Sequence, residues 1–530
     1  MQTRQYACTV INSELPRRVI VMSMTGIVIT MFMAALDATI VGTAMPRIVA
    51  ELNGFELYAA VTTVYLLATT VVVPIVGKLS DIYGRKPFLL AGVTIFVVSS
   101  MLCGAARSMP ELVFFRAVQG IGGGFSQAMA FTTIADLFPP SRRGRVSGML
   151  GAVFGLASVT GPAVGGFLTD GPGWRWCFYV NAPIGALAFA ILLVGFPNRV
   201  ATRRAHQIDW LGAALLVLSM VPILLALEWG GREYAWRSLQ ITALGTFGLV
   251  MFAVFLFVET RAPEAIMPPQ LFRNRVVGNS AASAMLLAVA MFGATLFIPL
   301  FIQSVIGASA ARSGAVLTPM MTTMVLASGY SGFAVTRRGK YKALAVFGTT
   351  AATIGLFLLS RLGVSASYMS AEIGMIVLGI GLGVTLPIFP LAVQNAVDVS
   401  QTGMATAVIQ FVRSLGGSLG AAIFGAVLAN AYDPAFRRAL SPDVVSSTPA
   451  ALLNQLRNPQ MLLNPEVSGQ LAGSDPDALR RLGPVAGAVK SALAMSLHDV
   501  FLCATVLVGL GVIFTLFLVD IPLRTTNRPT

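Results

Sequence analysis

Charge is scarce in this chain. Only 11% of its 530 residues are Asp, Glu, Lys or Arg, against the roughly 25% of soluble domains. With 56% hydrophobic residues and a mean hydropathy of +0.78, this excludes a soluble globular protein and leaves an integral membrane protein. Cysteine is equally sparse: Cys103, Cys177 and Cys503 lie inside apolar stretches, Cys8 lies near the N-terminus, no CxxC occurs, and only 2 histidines are present. Neither a disulfide framework nor a metal site is indicated. No P-loop pattern occurs, which removes ATP as the direct energy source. The +14 net charge comes from basic residues scattered through short segments rather than gathered in a block or on one face, so nucleic acid is not an expected partner. No cofactor is expected either. The first apolar run lacks a small-residue cleavage site and reads as a retained span rather than a signal peptide.

What is abundant is apolar sequence. Hydropathy predicts about fourteen helices of roughly twenty residues or more. They begin near Val19, Glu56, Phe88, Glu111, Gly144, Trp174, Asp209, Leu239, Val276, Arg312, Ala343, Met369, Thr402 and Ala494. An even count puts both termini on one side of the bilayer. Basic residues recur in alternate connections: Arg17 and Arg18; Lys78, Arg85 and Lys86; Arg142, Arg143 and Arg145; Arg199, Arg203 and Arg204; Arg261, Arg273 and Arg275; Arg337, Arg338, Lys340 and Lys342. The positive-inside rule therefore places both termini in the cytoplasm of a cell with the chain in its cytoplasmic membrane. Residues 432–493 are the exception, and long loops cross largely regardless of charge. Their Asp433-Pro434, Ser441-Pro442, Asn458-Pro459, Asn464-Pro465 and Asp475-Pro476 steps read as turns between short helices. Such a segment caps the outer mouth, meets an envelope partner such as a periplasmic adaptor or lipoprotein, or is a plain linker.

Between two of these apolar runs sits a short charged island, GKLSDIYGRKP, from Gly77 to Pro87. It resembles the connection between spans 2 and 3 of the major facilitator superfamily, with Gly77, Asp81, Gly84, Arg85 and Lys86 at the family's positions. Glycine at a helix end permits close backbone approach, and Asp81 can meet the N-terminus of a neighbouring helix while Arg85 and Lys86 hold the turn in the cytoplasm. The plainer alternative is an ordinary basic turn. A second copy, GFAVTRRGKYK from Gly332 to Lys342, aligns Gly332 with Gly77, Gly339 with Gly84 and Lys340 with Arg85, with Thr336 in place of Asp81. Two copies imply two homologous halves with spans 7 and 8 inserted between them. The expected architecture is an all-α integral membrane protein of that superfamily's fold, two six-helix bundles plus two inserted helices. Its parts are a tail at 1–17, the first bundle at 18–197, the insert at 198–260, the second bundle with the external segment at 261–521, and a tail at 522–530.

Asp37, in LDATIVGTAMP, lies deep in an apolar run, where a charged carboxylate costs about 2.5–3.5 kcal/mol on insertion scales. The stretch resembles the first-span signature of drug:proton antiporters, in which an aspartate precedes residues matching Thr39, Val41, Ala44 and Pro46. Burial favours the neutral form of such a group and a nearby cation the ionised one, so it can load and release a proton. A static hydrogen-bonding network is the alternative. The expected cation is Arg116 in FFRAVQGIGGG of span 4, which also carries Gln119; a snorkelling arginine is the other reading. Asp136, at the far end of that span, is expected to pair with Arg142, Arg143 and Arg145.

Span 5, GAVFGLASVTGPAVGG, places Gly151, Gly155, Gly161, Pro162, Gly165 and Gly166 along one helix, a groove for close packing. It resembles the antiporter signature of the superfamily. WRWCFYVNAPIG resembles the start of span 6 in the fourteen-span drug:proton antiporter family, with Trp174, Arg175, Trp176, Phe178, Asn181 and Pro183 matching and the tryptophans suited to an interfacial belt. Pro299, Gln303, Gly307, Gly314 and Pro319 are similar to that family's spans 9 and 10. Gln410 and Arg413 lie in span 13, and Gln127 in span 4; with Gln119 and Gln303 they are the candidate cavity residues. No acidic residue lies deep in spans 9, 10, 11 or 13, and Glu372 sits near the start of span 12. The resemblance implies a transporter rather than an enzyme: a monomeric, proton-coupled exporter of amphiphilic, often cationic compounds. Its alternatives are an exporter of one endogenous lipid or metabolite, or an uncoupled sensor or envelope-complex partner.

Overall fold

In a bilayer every backbone N–H and C=O must find its partner within the protein, which restricts a chain this apolar to helices or closed barrels. A computed structural model describes residues 16–52, 57–197, 209–231, 233–306, 316–398, 401–440 and 476–523, and its long elements are all helices. In chain order they are α1 (Arg17–Leu52), α2 (Tyr58–Tyr83), α3 (Arg85–Ala105), α4 (Met109–Leu137), α5 (Pro140–Asp170) and α6 (Trp176–Gly195, with a turn at Val180). Next come α7 (Trp210–Trp229) and α8 (Leu239–Glu259), then α9 (Arg275–Phe301), which continues as a π-helical turn over Ile302–Ile306. The last five are α10 (Leu317–Arg338), α11 (Lys342–Ser360), α12 (Tyr368–Ala396), α13 (Thr402–Ala439) and α14 (Pro476–Leu516).

Among the described residues 12 of these helices are long and apolar enough to cross a membrane. The other two, α4 and α10, span 29 and 22 residues and pack within the same bundles. Glycines, hydroxyls and charged residues dilute their hydropathy. Helix starts are set by side-chain caps: Ser108, Asp209, Ser238, Asn274 and Ser367 accept the backbone N–H groups of Glu111, Gly212, Ile241, Val276 and Ser370.

Helices α1–α6 pack on one another, as do α9–α14, while α7 and α8 pair and α7 rests on both α2 and α13. Lys78 of α2 meets Glu264, in the connection from α8 to α9, at 2.7 Å. The two turns aligned in sequence both put a glycine at positive φ, with different ψ: 159° at Gly84 and 5° at Gly339. Gly84 closes α2 at φ +91° and Gly339 closes α10 at φ +68°, a region costly for any residue with a Cβ. Gly77 lies against Ala407 and the Gly403 carbonyl of α13, and Gly332 against the Gly144 carbonyl of α5. Each half thus sends the helix before its turn against the other half.

Two expected boundaries differ. The span expected near Ala494 belongs to a helix that begins at Pro476, and α13 runs on to Ala439 beyond the expected start of the external segment at 432. Hydropathy marks the apolar window, and both helices overhang it with polar turns. The expected starts at Glu56 and Arg312, and Gly307, Gly314, Arg199, Arg203, Arg204 and residues 441–475, lie outside the described residues.

Gly332→Ala puts a methyl group onto the Gly144 backbone, whereas Gly329→Ala on the same helix meets nothing within 4 Å. Thermal unfolding of the purified protein is expected to show Gly332→Ala destabilised by about 1–3 kcal/mol and Gly329→Ala neutral or slightly stabilised. Equal midpoints for the two variants contradict the close contact between halves.

Candidate functional site

Asp37 is fully buried on α1, and its carboxylate is met by nitrogen donors from two other helices. Arg116 Nη1 of α4 stands 2.6 Å from Oδ2. Gln119 Nε2, one turn further along α4, donates to Oδ1 at 2.9 Å, and Asn181 Nδ2 of α6 donates to the same oxygen at 2.8 Å. Asp37 and Arg116 are 0% and 1% exposed, so Arg116 does not snorkel; it turns inward to the acid. The same guanidinium donates to Gln119 Oε1 at 2.7 Å and to the Val61 carbonyl at 3.4 Å, and stacks over the Tyr65 ring at 4.2 Å. Asn181 is steadied in turn by Ser100 of α3 at 3.0 Å, leaving its Oδ1 without a partner. Buried charges are tolerated when paired and hydrogen-bonded to this extent. Each side chain that reaches the carboxylate presents a donor to it, one to Oδ2 and two to Oδ1.

The second cluster closes the turn-bearing end. Asp81 pairs with Arg85 and accepts the Met404 backbone N–H at 3.1 Å, at the first turn of α13 where the helix dipole favours an anion. Arg85 also bonds Ser80, and its Nε reaches Asp136 at 2.8 Å. That corrects the expected pairing of Asp136 with the arginines after it: α3 and α4 pack antiparallel, which sets the first residue of α3 beside the last turn of α4. Arg143 instead donates to the Phe138 and Ala135 carbonyls, capping the end of α4. Lys86 donates to the Leu193 carbonyl of α6 at 2.7 Å.

Along α5 the glycines serve two partners. Gly155 packs on Val325 of α10, in the other half, whereas Gly161 and Gly165 pack on Thr39 and Thr43 of α1. Thr39 also donates to the Ala157 carbonyl at 3.3 Å. Gly166 has no neighbour within 4 Å, and the helix passes through Pro162 without a break. Of the cavity candidates, Gln119 belongs to the Asp37 network. Gln410 accepts from Arg413 Nη1 at 3.0 Å, Gln127 is half-buried, and the Gln303 side chain lies outside what the structure describes. Glu372 is half-buried near the start of α12.

Four participants escaped the sequence reading of the sites. Asn181 stood in the sequence only as a match to the span 6 pattern, and Ser100 as an ordinary polar residue; the fold aims Asn181 at Asp37 and sets Ser100 behind it. Tyr65 reads as one more apolar-helix aromatic. Gly403 is required because a Cβ there would strike Asp81 and Arg85; its signal was its place at the start of a span facing the charged turn. Trp174 is corrected too: it is 1% exposed, against 51% for Trp176. Rather than anchoring in a membrane belt, its indole N–H donates to Glu51 at 2.8 Å. Arg175 joins it, and the two hydrogen bonds hold the Glu51 carboxyl below the usual carboxylate range.

A family model described as Major Facilitator Superfamily matches residues 27–421. The chain is 38% identical over 516 residues to the multidrug transporter protein MdtP of Bacillus subtilis, covering 95% of this chain and 93% of that protein. It is 38% identical over 505 residues to multidrug resistance protein 3 of the same organism, covering 95% and 96%. The structure of the proton:xylose symporter XylE superposes with a TM-score of 0.56 at 14% identity, over 78% of this chain and 89% of that one; at that identity the likeness concerns the fold alone.

Asp37→Asn leaves a buried guanidinium uncompensated and is expected to cost about 3–5 kcal/mol in thermal unfolding. Adding Arg116→Gln to Asp37→Asn should recover a large part of that loss, giving a strongly non-additive double-mutant cycle. Additive effects contradict a direct pair.

Proposed function

The chain belongs to the Major Facilitator Superfamily, and from that membership we propose that it is a proton-coupled antiporter exporting amphiphilic compounds by alternating access between its two six-helix halves. Members of this family are transporters, not enzymes. The observation that carries the coupling is Asp37, held in the membrane interior by Arg116, Gln119 and Asn181. Arg116 has other acceptors in reach, Gln119 Oε1 and the Val61 carbonyl. It can therefore keep hydrogen bonds when a shift of α1 frees the carboxylate for a proton. That shift reaches the rest of the molecule through α5, whose outer glycines sit on α1 and whose inner ones sit on α10. A proton moving inward across about 100 mV supplies roughly 2.3 kcal/mol, enough for about a fifty-fold substrate gradient.

The basic residues gathered at the turn-bearing end support a cytoplasmic side for that end and for both termini. Its contacts, Gly77 on α13, Gly332 on α5 and Asp81 on the Met404 N–H, then describe a transporter closed toward the cytoplasm. The names of the two Bacillus relatives support a drug-like cargo.

The test is uphill export in proteoliposomes driven by an imposed proton gradient, with a panel of fluorescent amphiphiles. Wild type is expected to accumulate dye against its gradient, and Asp37→Asn to lose at least about 90% of that activity while still exchanging dye downhill, since a group that only couples is needed only for uphill work. Proton-driven accumulation by Asp37→Asn equal to wild type refutes the assignment. In intact cells an impermeant thiol reagent should label Arg237→Cys and spare Lys340→Cys; the reverse overturns the orientation.

A further inference from the structure

Asp37 and Arg116 neutralise each other. Arg413, within the apolar stretch of α13, meets no carboxylate at salt-bridge distance among the described residues. It lies about 16 Å along the helix axis from Thr402, deep within an element long enough to cross the bilayer. Its Nη1 donates to Gln410 Oε1 at 3.0 Å. Because a guanidinium can only donate, this bond fixes the Gln410 amide with its Nε2 on the other side. Gln410 is 1% exposed, and that Nε2 has no partner. Arg413 lines a small cavity of about 30 Å³ between α9, α10, α12 and α13, together with Leu287, Met291, Met324, Thr385 and Phe389, and alternating access would have to widen it to admit a cargo.

A cation set in a wall of methionine, leucine and phenylalanine, with an unused amide donor hydrogen-bonded beside it one turn back along α13, is complementary to one chemistry: an acidic group on an apolar body. We propose that Arg413 and Gln410 form an anion-binding subsite, and that the cargo of this cavity is an amphiphilic organic anion bearing a carboxylate, sulfonate or phosphate. The proposal rests on the transport reading and specifies its substrate. A cationic cargo would meet a like charge in a medium of low dielectric, where repulsion is poorly screened. An anion supplies the counter-charge that the protein withholds from Arg413, and the flexible Met291 and Met324 accommodate varied apolar bodies. The sequence-based expectation of cationic cargo followed the family; the side chains at this cavity favour the opposite sign.

Two xanthene dyes of similar body and opposite charge, fluorescein and rhodamine 6G, provide the test by fluorescence anisotropy with the purified full chain in detergent. Wild type is expected to bind fluorescein more tightly. Arg413→Gln should weaken fluorescein binding roughly tenfold or more while leaving rhodamine 6G binding unchanged or improved, which also shows that the variant is folded. Arg413→Lys keeps the charge and should retain most of the fluorescein affinity; a loss as large as that of Arg413→Gln overturns the proposal. So does fluorescein binding that is equal in wild type and Arg413→Gln. Displacement of fluorescein by phosphatidylglycerol assigns the site to a lipid headgroup, and absence of displacement assigns it to a soluble organic anion. Proton-driven export of fluorescein that ignores Arg413→Gln would leave the transport reading standing and remove this inference alone.

Discussion

One buried ion pair organises the first half of this protein. A lone charge in the hydrocarbon region is expensive, and Asp37 and Arg116 are tolerable there only together and only with their remaining hydrogen-bonding capacity met. Satisfying them recruits Gln119 from the same turn of α4, Asn181 from α6 and, behind it, Ser100 from α3, while the Val61 carbonyl and Tyr65 ring of α2 cover the guanidinium. Five helices therefore converge on one carboxylate.

The connection from this site to the interface between halves runs through residues without side chains. Thr39 and Thr43, on the same helix as Asp37, fill the space left by Gly161 and Gly165, and the same helix α5 lays Gly155, Gly148 and Gly144 against α10. Without a hydrophobic force between helices in lipid, such close backbone contact is what holds them. Small displacements of α1 are passed on rather than absorbed, because closely packed surfaces deform little. At the turn-bearing end the two halves use unequal means. One contact pairs Asp81 with a helix N-terminus beside an ionic cluster; its counterpart, with Thr336 in the aspartate's place, relies on glycine against glycine. This asymmetry gives one contact an electrostatic lock and the other a steric fit.

The architecture was legible in the sequence because its signals are local: apolar length, alternation of basic turns, and two glycine-cation motifs that each end a helix on a glycine of positive φ. Asp37, Arg116 and Gln119 could be read as a site because polar residues inside apolar runs are conspicuous by themselves. What stayed hidden depends on which helices meet. Ser100 and Tyr65 have unremarkable local contexts, the motif holding Asn181 does not say what it faces, and the partner of Asp136 was misassigned because proximity in sequence favoured Arg142, Arg143 and Arg145 over an arginine 51 residues away. Trp174 was misplaced for a related reason: an aromatic at a helix start suits both a membrane belt and a buried hydrogen bond, and only the position of Glu51 decides.

The central claim is that Asp37 carries the proton. Infrared difference spectroscopy of the protein in liposomes, between neutral and acidic buffer, reads protonated carboxyl groups directly. The account predicts a carboxylic acid band that appears on acidification in wild type and is absent from Asp37→Asn. The same band at undiminished amplitude in Asp37→Asn would contradict it.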